Sequence, residues 1–420
     1  MYESSAKLVV IGLGYVGLPL AIEAIQVGMR VHGLDRDIVR IEELGSGRSY
    51  IDDVSDEQLT AALSRGFIPT DDPHCLETAD VIIICVPTPL REGVPDLSAI
   101  NAAAEAVAAR FRHGALVILE STTYPGTTNE VLRPMLEREG RKVGQDFYLA
   151  FSPERIDPGN RRYNLKNTPK IVGGLTPECG QAAERFYLGI VHEVVRVSSA
   201  AAAEMTKLLE NTYRQVNIAL VNEMAIFCHE LNIDLWEVIE AASTKPFGFH
   251  AFYPGPGVGG HCIPIDPNYL SHRVRGLGYP FRFVELAQEI NARMPGFVVD
   301  RIGLLLNEQR QSVRGANVLL LGVTYKADVA DQRESPSRTV AERLLILGAN
   351  VTYHDPYVAE WDVGGRRIKC TESLDNELCV VDLVVLLQAH ACYNLREIAD
   401  QANLFLDTRG KATGTNVVRL

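Results

Sequence analysis

No cysteine in this chain has a second cysteine three positions along, and the eight that occur are scattered from Cys75 to Cys392. Neither a zinc site nor a disulfide framework is built on such spacing, so no metal is expected. Absent too is any apolar run approaching the ~20 residues that a membrane-spanning helix needs. The opening Met1-Tyr2-Glu3-Ser4-Ser5 lacks the basic start and apolar stretch of a secretory signal. A cytoplasmic protein without a membrane partner is expected. Clustered cations are also missing. A formal net charge of −12 argues against a nucleic-acid surface, which must neutralise phosphates. It leaves room for a small anionic ligand in a locally basic pocket.

What remains is an ordinary globular composition, 46% hydrophobic and 22% charged, in a chain of 420 residues. That length predicts roughly three structural units. Lys7-Leu-Val-Val-Ile-Gly12 reads as a buried parallel strand, Leu18–Val27 as a helix ended by Gly28, and Arg30–Asp35 as a second strand. Apolar runs at Val81–Val86 and Leu116–Leu119 continue the pattern, with a helix near Asn101–Phe111 between them. The series returns near the C-terminus: strand Asn317–Gly322, helix Ser337–Leu347 closed by Gly348, strand Val351–Asp355, then Leu383–Leu387 and Leu404–Leu406. Strand and helix alternating at this spacing mean parallel α/β sheets. Ser198–Leu231, free of glycine and proline, reads as one long helix capped by Ser198 or Ser199 and ended by Asn232.

The expected fold class is therefore α/β, with two doubly wound Rossmann-like domains joined by a long central helix and a helical layer. Residues 1–197 form the first domain, 198–310 the central helical and dimerisation region, and 311–420 the second domain. A helix of that length also suits a dimer interface, so a homodimer or higher homo-oligomer is expected.

Gly12-Leu-Gly14-Tyr15-Val16-Gly17 follows a strand and opens a helix. There, glycines permit the tight turn and let the backbone approach a pyrophosphate, while the helix N-terminus offers N–H groups to it. Asp35 ends the next strand where a carboxylate accepts hydrogen bonds from the adenine ribose, which favours NAD over NADP. Arg36 beside it pulls the other way, since arginine accommodates a 2′-phosphate. The alternative is a tight turn that binds nothing.

The most informative segment is Tyr253-Pro-Gly-Pro-Gly257-Val-Gly-Gly260-His-Cys262-Ile-Pro-Ile-Asp266. Its glycines and prolines make a loop whose backbone can lie against a ligand. Cysteine is a natural nucleophile toward an aldehyde, helped by a cation that raises its thiolate fraction. Asp266 can position a water or act as a base. For a lone cysteine the bland reading is a buried structural thiol.

That loop resembles the active-site cysteine motif of the UDP-glucose/GDP-mannose dehydrogenase family. The resemblance runs along nearly the whole chain: Gly12–Gly17, Pro87-Thr88-Pro89, Ser121-Thr-Thr123-Tyr-Pro-Gly126, Ser152-Pro-Glu154-Arg155, Lys207-x-x-x-Asn211, Cys262-x-x-x-Asp266, Gly322-Val-Thr-Tyr-Lys326 and Arg333-Glu-Ser-Pro. It implies a four-electron oxidation of a UDP-hexose C6 alcohol by two NAD⁺. Cys262 would pass through a thiohemiacetal and a thioester that water hydrolyses. Lys207 and Asn211, at i, i+4 and so on one helix face, would hold the C6 oxygen. Glu154 would help to activate the water and Thr123 would help to hold it. The same resemblance assigns Pro87, Thr88, Thr123 and Arg333 to the cofactor, and Arg155, Tyr253, Gly257 and Lys326 to the sugar nucleotide. Substrate and cofactor would share a cleft between the two domains.

Without the family, Lys207 reads as an exposed lysine, and Glu154 as a turn carboxylate paired with Arg155. Thr244-Lys-Pro-Phe-Gly-Phe, Ser152-Pro-Glu-Arg and the Pro-Gly-Pro-Gly loop resemble the UDP-N-acetylglucosamine 6-dehydrogenase branch. The UDP-glucose branch more often has an arginine before the glycine loop. Here residues 246–252 contain none, leaving Lys245 and His250 as substitutes. UDP-glucose or dTDP-glucose remains the alternative. A two-electron β-hydroxyacid dehydrogenase needs neither the cysteine nor a second α/β domain, and a non-catalytic regulator has no use for Cys262, Lys207, Asn211 and Asp266 together.

Overall fold

The computed structural model describes residues 6–420 apart from Asp52, Glu92, Pro158, Arg161, His261 and Cys262. The chain divides into two compact units, one of residues 1–210 with 268–279, the other of 211–267 with 280–420. Both are built on mainly parallel sheets.

In the first unit eight strands run across the sheet in the order Val194–Val197, Lys170–Gly174, Tyr148–Phe151, Leu116–Leu119, Val81–Ile84, Lys7–Ile11, Arg30–Leu34 and Ile68–Thr70. Every pairing is parallel except that of Tyr148–Phe151 with Lys170–Gly174. Alternate residues of one strand serve opposite cores. Leu8 and Val10 pack with Leu18 and Ala21 on one face, while Val9 and Ile11 pack with Ile82, Ile84 and Ile100 on the other. A sheet covered on both faces needs continuous apolar strands, which is why these read as unbroken runs. The first helix, Gly17–Gln26, buries Leu18, Leu20, Ala21, Ile22, Ala24 and Ile25. Gly28, at φ +93°, turns the chain after it.

The second unit has seven strands in the order Trp361–Val363, Arg366–Cys370, Asn350–His354, Asn317–Leu321, Leu383–Leu386, Phe405–Asp407 and Val417–Arg419. Only the edge strand Trp361–Val363 is antiparallel to its neighbour. Its first helix, Pro336–Leu347, is capped by the Ser335 side chain and starts on a proline whose missing N–H costs nothing there. Gly348 ends it in the left-handed conformation.

The long helix is Ala200–Glu230. Ser199 Oγ accepts from the Ala202 N–H at 3.1 Å, and Asn232, at φ +53°, ends it as the sequence predicts. Four strands of the first sheet, Ile68–Thr70, Tyr148–Phe151, Lys170–Gly174 and Val194–Val197, are absent from the sequence reading. So is the helix Arg282–Glu308, which carries Pro295 in its interior. These strands are short, and one opens on a lysine and closes on two glycines, which masks the apolar signal. Among the described residues no helix is long and apolar enough to cross a membrane.

Candidate active site

The turn after the first strand is held from both sides. The Gly12 N–H donates to the Leu34 carbonyl at 2.8 Å, and Gly12 adopts φ +92°. A Cβ at Gly12 would stand 2.6 Å from the Cys85 carbonyl oxygen, so only glycine fits. At Gly14 a Cβ would meet nothing within 4 Å, which leaves open the approach a pyrophosphate needs. Tyr15 and Val16 are half-buried, and Val16 is the residue before the helix that Gly17 begins. Asp35 accepts the Leu13 N–H on one oxygen at 2.9 Å and the Asp37 N–H on the other at 3.1 Å. Two of about four acceptor sites on that half-buried carboxylate are used, and the rest suit ribose hydroxyls. Arg36 is exposed. The residues fit a dinucleotide. Pro87 is exposed, and the half-buried Thr88 offers its carbonyl to the Tyr269 hydroxyl at 2.5 Å.

Deeper in the same unit lie the polar groups expected to handle water and the reacting oxygen. The Thr123 hydroxyl donates to Thr127 Oγ1 at 2.5 Å, and Thr127 in turn donates to the Tyr124 carbonyl at 2.8 Å. With its proton committed, Thr123 Oγ1 offers lone pairs only, so a water bound there donates to it. Lys207 is buried and donates to Thr122 Oγ1 at 2.6 Å, which corrects the bland reading of an exposed lysine. Glu154 is buried too. Its Oε1 accepts the backbone N–H groups of Arg155 at 2.7 Å and Ile156 at 2.6 Å, and its Oε2 takes the Lys170 ammonium at 3.1 Å. Burial pushes this carboxyl up, but Lys170, the Ile156 N–H and Lys207 outweigh it and hold it below the usual range. The Arg155 side chain does not pair with Glu154. It forks onto Glu210 at 2.7 and 3.2 Å, and the partner of Glu154 is Lys170, which sequence reasoning missed.

In the second unit Asn211 donates to Asp266 Oδ2 at 2.6 Å, with both side chains buried. Asp266 is the first residue of the helix Asp266–Gly276, where its charge also meets the N-terminal dipole. His261 and Cys262 lie outside the described residues. Tyr253 is exposed, with Lys411 Nζ 6.0 Å from its ring centroid. The glycine loop is fastened at Gly255, whose N–H donates to Asn222 Oδ1 at 2.9 Å, and at Gly260, whose N–H donates to the Arg333 carbonyl at 3.3 Å. At Gly257 an added Cβ would lie 3.0 Å from Pro336. Lys326 is half-buried after the Asn317–Leu321 strand, and the Arg333 guanidinium forks onto Asp331 at 2.6–3.0 Å. Arg409 is a further cation that the sequence reading missed. It donates to the Leu387 carbonyl at 2.7 Å, and burial lowers its pKa to about 10. It stands so near Gly255 that a Cβ there would meet its Nη1 at 2.9 Å. The available signal was an arginine two residues past the end of an apolar strand, at Asp407-Thr-Arg409.

Three consecutive parts of the chain match one family: its NAD binding domain at residues 6–191, its central domain at 201–293 and its UDP binding domain at 319–413. The chain belongs to the UDP-glucose/GDP-mannose dehydrogenase family. Its relatives include a UDP-N-acetyl-D-mannosamine dehydrogenase of Pyrococcus horikoshii, 38% identical over 84% of each chain. They also include a UDP-N-acetyl-D-glucosamine 6-dehydrogenase of Pseudomonas aeruginosa, 37% identical over 85% of this chain and 84% of that one. Among solved structures, the UDP-D-ManNAc dehydrogenase of Pyrococcus horikoshii superposes with a TM-score of 0.88 at 34% identity, over 98% of both chains. A UDP-glucose dehydrogenase from Pyrobaculum islandicum gives 0.87 at 27%, over 100% of this chain and 98% of that one. Members of this family are NAD-dependent oxidoreductases, and the NAD binding domain is the part that holds Gly12 and Asp35.

Proposed function

We propose that this protein oxidises the C6 alcohol of a UDP-N-acetylhexosamine to the uronic acid, using two NAD⁺ per sugar. The observation that carries the reading is the set of buried polar groups along one helix and its neighbours. Lys207 and Asn211 lie one turn apart on the long helix, and Asn211 is tied to Asp266, four residues beyond Cys262. An ammonium and an amide so placed stabilise negative charge on the C6 oxygen during each oxidation. Bound NAD⁺ supplies the hydride acceptor. Cys262 adds to the C6 aldehyde as a thiohemiacetal, and the second oxidation makes this a thioester. A water held by Thr123 then attacks the thioester carbon as Glu154 takes its proton, and the C–S bond breaks to return the thiolate.

Residues 1–197 carry the cofactor in this scheme, 198–310 the helical region with the cysteine loop, and 311–420 the nucleotide. Lys326, Tyr253, Gly257 and Arg155 serve the sugar nucleotide, and Arg333 and Thr88 the cofactor. The N-acetylhexosamine preference rests on two observations: the relatives named for UDP-N-acetyl sugars, and the lack of arginine in residues 246–252. UDP-glucose is the second reading, favoured by the similarity to the Pyrobaculum enzyme. The long helix exposes Met205, Leu209, Tyr213, Leu220 and Phe227 at helical spacing, an apolar stripe that suits a second copy of the chain. A cytoplasmic homodimer is the expected form.

The test is NADH yield against UDP-GlcNAc, UDP-ManNAc, UDP-GalNAc, UDP-glucose and dTDP-glucose. Two NADH per uronate formed is the expected result, while a yield of one ending at the aldehyde overturns the four-electron reading. Cys262→Ala should abolish uronate formation and leave both ligands bound, and undiminished uronate from that variant would rule out the covalent route.

A further inference from the structure

Directly behind Glu154 lies a buried ionic cluster that the reaction scheme leaves unused. Lys170 Nζ is 3.1 Å from Glu154 Oε2 and 2.9 Å from Glu120 Oε1, and both the lysine and Glu120 are almost wholly buried. Glu120 is in turn bonded by the Tyr187 hydroxyl, and Cys85 Sγ lies 3.7 Å from its other oxygen. Lys170 also stands 5.3 Å from the Tyr187 ring centroid. An isolated buried ammonium would be expelled or neutralised, so a lysine kept here must be paired on purpose or by necessity. Two carboxylates for one lysine leave the trio with one net negative charge.

The hydrogen bonds divide the two oxygens of Glu154 into different roles. Oε1 accepts two backbone N–H groups, which uses both its lone-pair directions. Oε2 accepts Lys170 and, among the described residues, nothing else. The remaining acceptor direction of this carboxylate is therefore on the oxygen that Lys170 holds. We propose that Lys170 is a positioning residue for Glu154: it keeps the carboxylate ionised and aims Oε2 at the hydrolytic water, while Glu120 and Tyr187 anchor the lysine from behind. This inference rests on the reading of Glu154 as the group that takes the proton of that water.

The charged and titratable groups facing this cluster come from several elements. Lys170 lies on the adjoining strand, Glu120 follows the next strand, Lys207 is on the long helix, Tyr187 ends the helix Pro177–Tyr187, and Cys85 follows the Val81–Ile84 strand. Burial raises the Glu120 carboxyl and, far above their usual values, the Tyr187 hydroxyl and the Cys85 thiol. Lys170 is held up by its two carboxylates against the opposing effect of burial. Tyr187 and Cys85 thus stay neutral at physiological pH, and Lys207 is the other cation that acts on Glu154. Glu120 moderates the lysine: with only Lys170 and Lys207 near it, Glu154 would be a weaker base.

The signs follow from charge. Lys170→Met leaves two buried carboxylates without their cation, so the Glu154 proton is held more tightly. Its midpoint should rise by about one to three pH units, the usual effect of losing a close opposite charge. Glu120→Gln removes the competing carboxylate and should move the midpoint down. The double variant restores the net charge of the native trio and should fall between the two. Lys170→Arg keeps the cation and should stay near the native midpoint.

Two measurements on the full-length enzyme test this. Isotope-edited infrared titration, with Glu154→Gln assigning the band, reads the Glu154 carboxyl directly and needs no turnover. Single-turnover release of uronate against pH, with NAD⁺ and UDP-GlcNAc, reads the hydrolytic step. The expected result is an acid limb that tracks the infrared midpoint through the series, with an unchanged KM for the sugar nucleotide. A Glu154 midpoint that stays put in both Lys170→Met and Glu120→Gln overturns the proposal. So does a midpoint that moves while the acid limb does not, or an acid limb unchanged by Glu120→Gln if Lys170→Met fails to fold. Failure of the dehydrogenase reading looks different: the native enzyme then forms no uronate, while the infrared titration still reports on the cluster.

Discussion

The two sheets begin with the same device and use it differently. In the first unit Gly12, at φ +92°, donates to the Leu34 carbonyl, and Asp35 takes the N–H of Leu13. In the second, Gly322, at φ +75°, donates to the His354 carbonyl at 2.9 Å, and Asp355 takes the Val323 N–H at 2.6 Å and the Thr324 N–H at 3.2 Å. A Cβ at either glycine would strike the chain just after the strand that pairs with the first one, Val81–Ile84 or Leu383–Leu386, at Cys85 or at Gln388. The likeness ends at the carboxylates. Asp35 is half-buried with acceptor sites to spare. Asp355 is buried, and also takes the Tyr357 N–H at 2.9 Å and His390 Nε2 at 3.1 Å. His390 Nδ1 accepts the Asp328 N–H at 2.9 Å, so its proton sits on Nε2 and points at Asp355. One carboxylate keeps acceptor sites that a ligand could use, and those of the other are taken up by the fold.

The helices differ in the same sense. Gly17 starts a helix within the glycine motif, whereas the second unit inserts the segment from Gly322 to Ser335 before Pro336 begins its helix. Backbone amides at a helix start suit the pyrophosphate of a dinucleotide. The inserted segment carries Lys326 instead, and a side-chain cation there suits a different phosphate ligand.

The comparison is most exposed at Asp355. Asp355→Ala should lower the stability of the folded protein by about 3 kcal/mol or more, because it strands several buried donors. Thermal unfolding would read this, and a variant as stable as the native chain would show that Asp355 is not structural. The pH dependence carries the same sign. Burial raises the Asp355 carboxyl, but His390 and the N–H groups of Tyr357 and Val323 more than reverse it, so the folded protein holds it below the ordinary 3.8. A group lowered on folding contributes its stability above the unfolded value and loses it as pH falls through the folded one. Acid unfolding of the native chain should thus show an Asp355 contribution only below about pH 4.

Asp35→Ala should leave stability nearly unchanged and weaken NAD⁺ binding by about 1–3 kcal/mol, read as a rise in Kd of about five- to 150-fold by calorimetry. Equal use of NADP⁺ by the native enzyme would make Arg36 the dominant residue and reverse the reading. The smallest effect belongs to Lys326→Ala. It should raise the KM for the UDP-sugar about tenfold, about 1.4 kcal/mol, and leave that for NAD⁺ alone. A larger change for NAD⁺ would place Lys326 with the cofactor.

These features were not equally legible. The strand, turn and carboxylate of the first unit lie within Lys7–Asp35, so their geometry follows from local periodicity and glycine placement. The ends of the long helix were readable for the same reason, because Ser199 and Asn232 act on backbone within one turn. Lys170 was not readable. Its partners Glu120 and Glu154 meet it across strands that are remote in the chain, and no local pattern marks a lysine that opens an apolar strand as paired. Arg155 shows the converse error: proximity in sequence to Glu154 suggested an ion pair, yet the arginine side chain reaches Glu210 on the long helix. The roles proposed for Cys262, Lys207, Asn211 and Glu154 come from family resemblance, whereas spacing alone gave Lys207 and Asn211 only a shared helix face.

Pro295 has a consequence for the glycine loop. A proline has no amide hydrogen, so the Asn291 carbonyl one turn earlier loses its usual i+4 donor. That carbonyl oxygen lies 3.4 Å from where a Cβ of Gly257 would stand, and Pro295 Cδ lies 3.6 Å from the same point. Asn291 also accepts from Asn222 through its side chain, and Asn222 holds Gly255. The helix interruption thus lies beside the loop, and the missing side chain at Gly257 lets the two backbones pass. The interruption also splits the helix ladder, so amide exchange in Arg282–Glu308 should separate into a segment before Pro295 and a slower, more deeply packed segment after it.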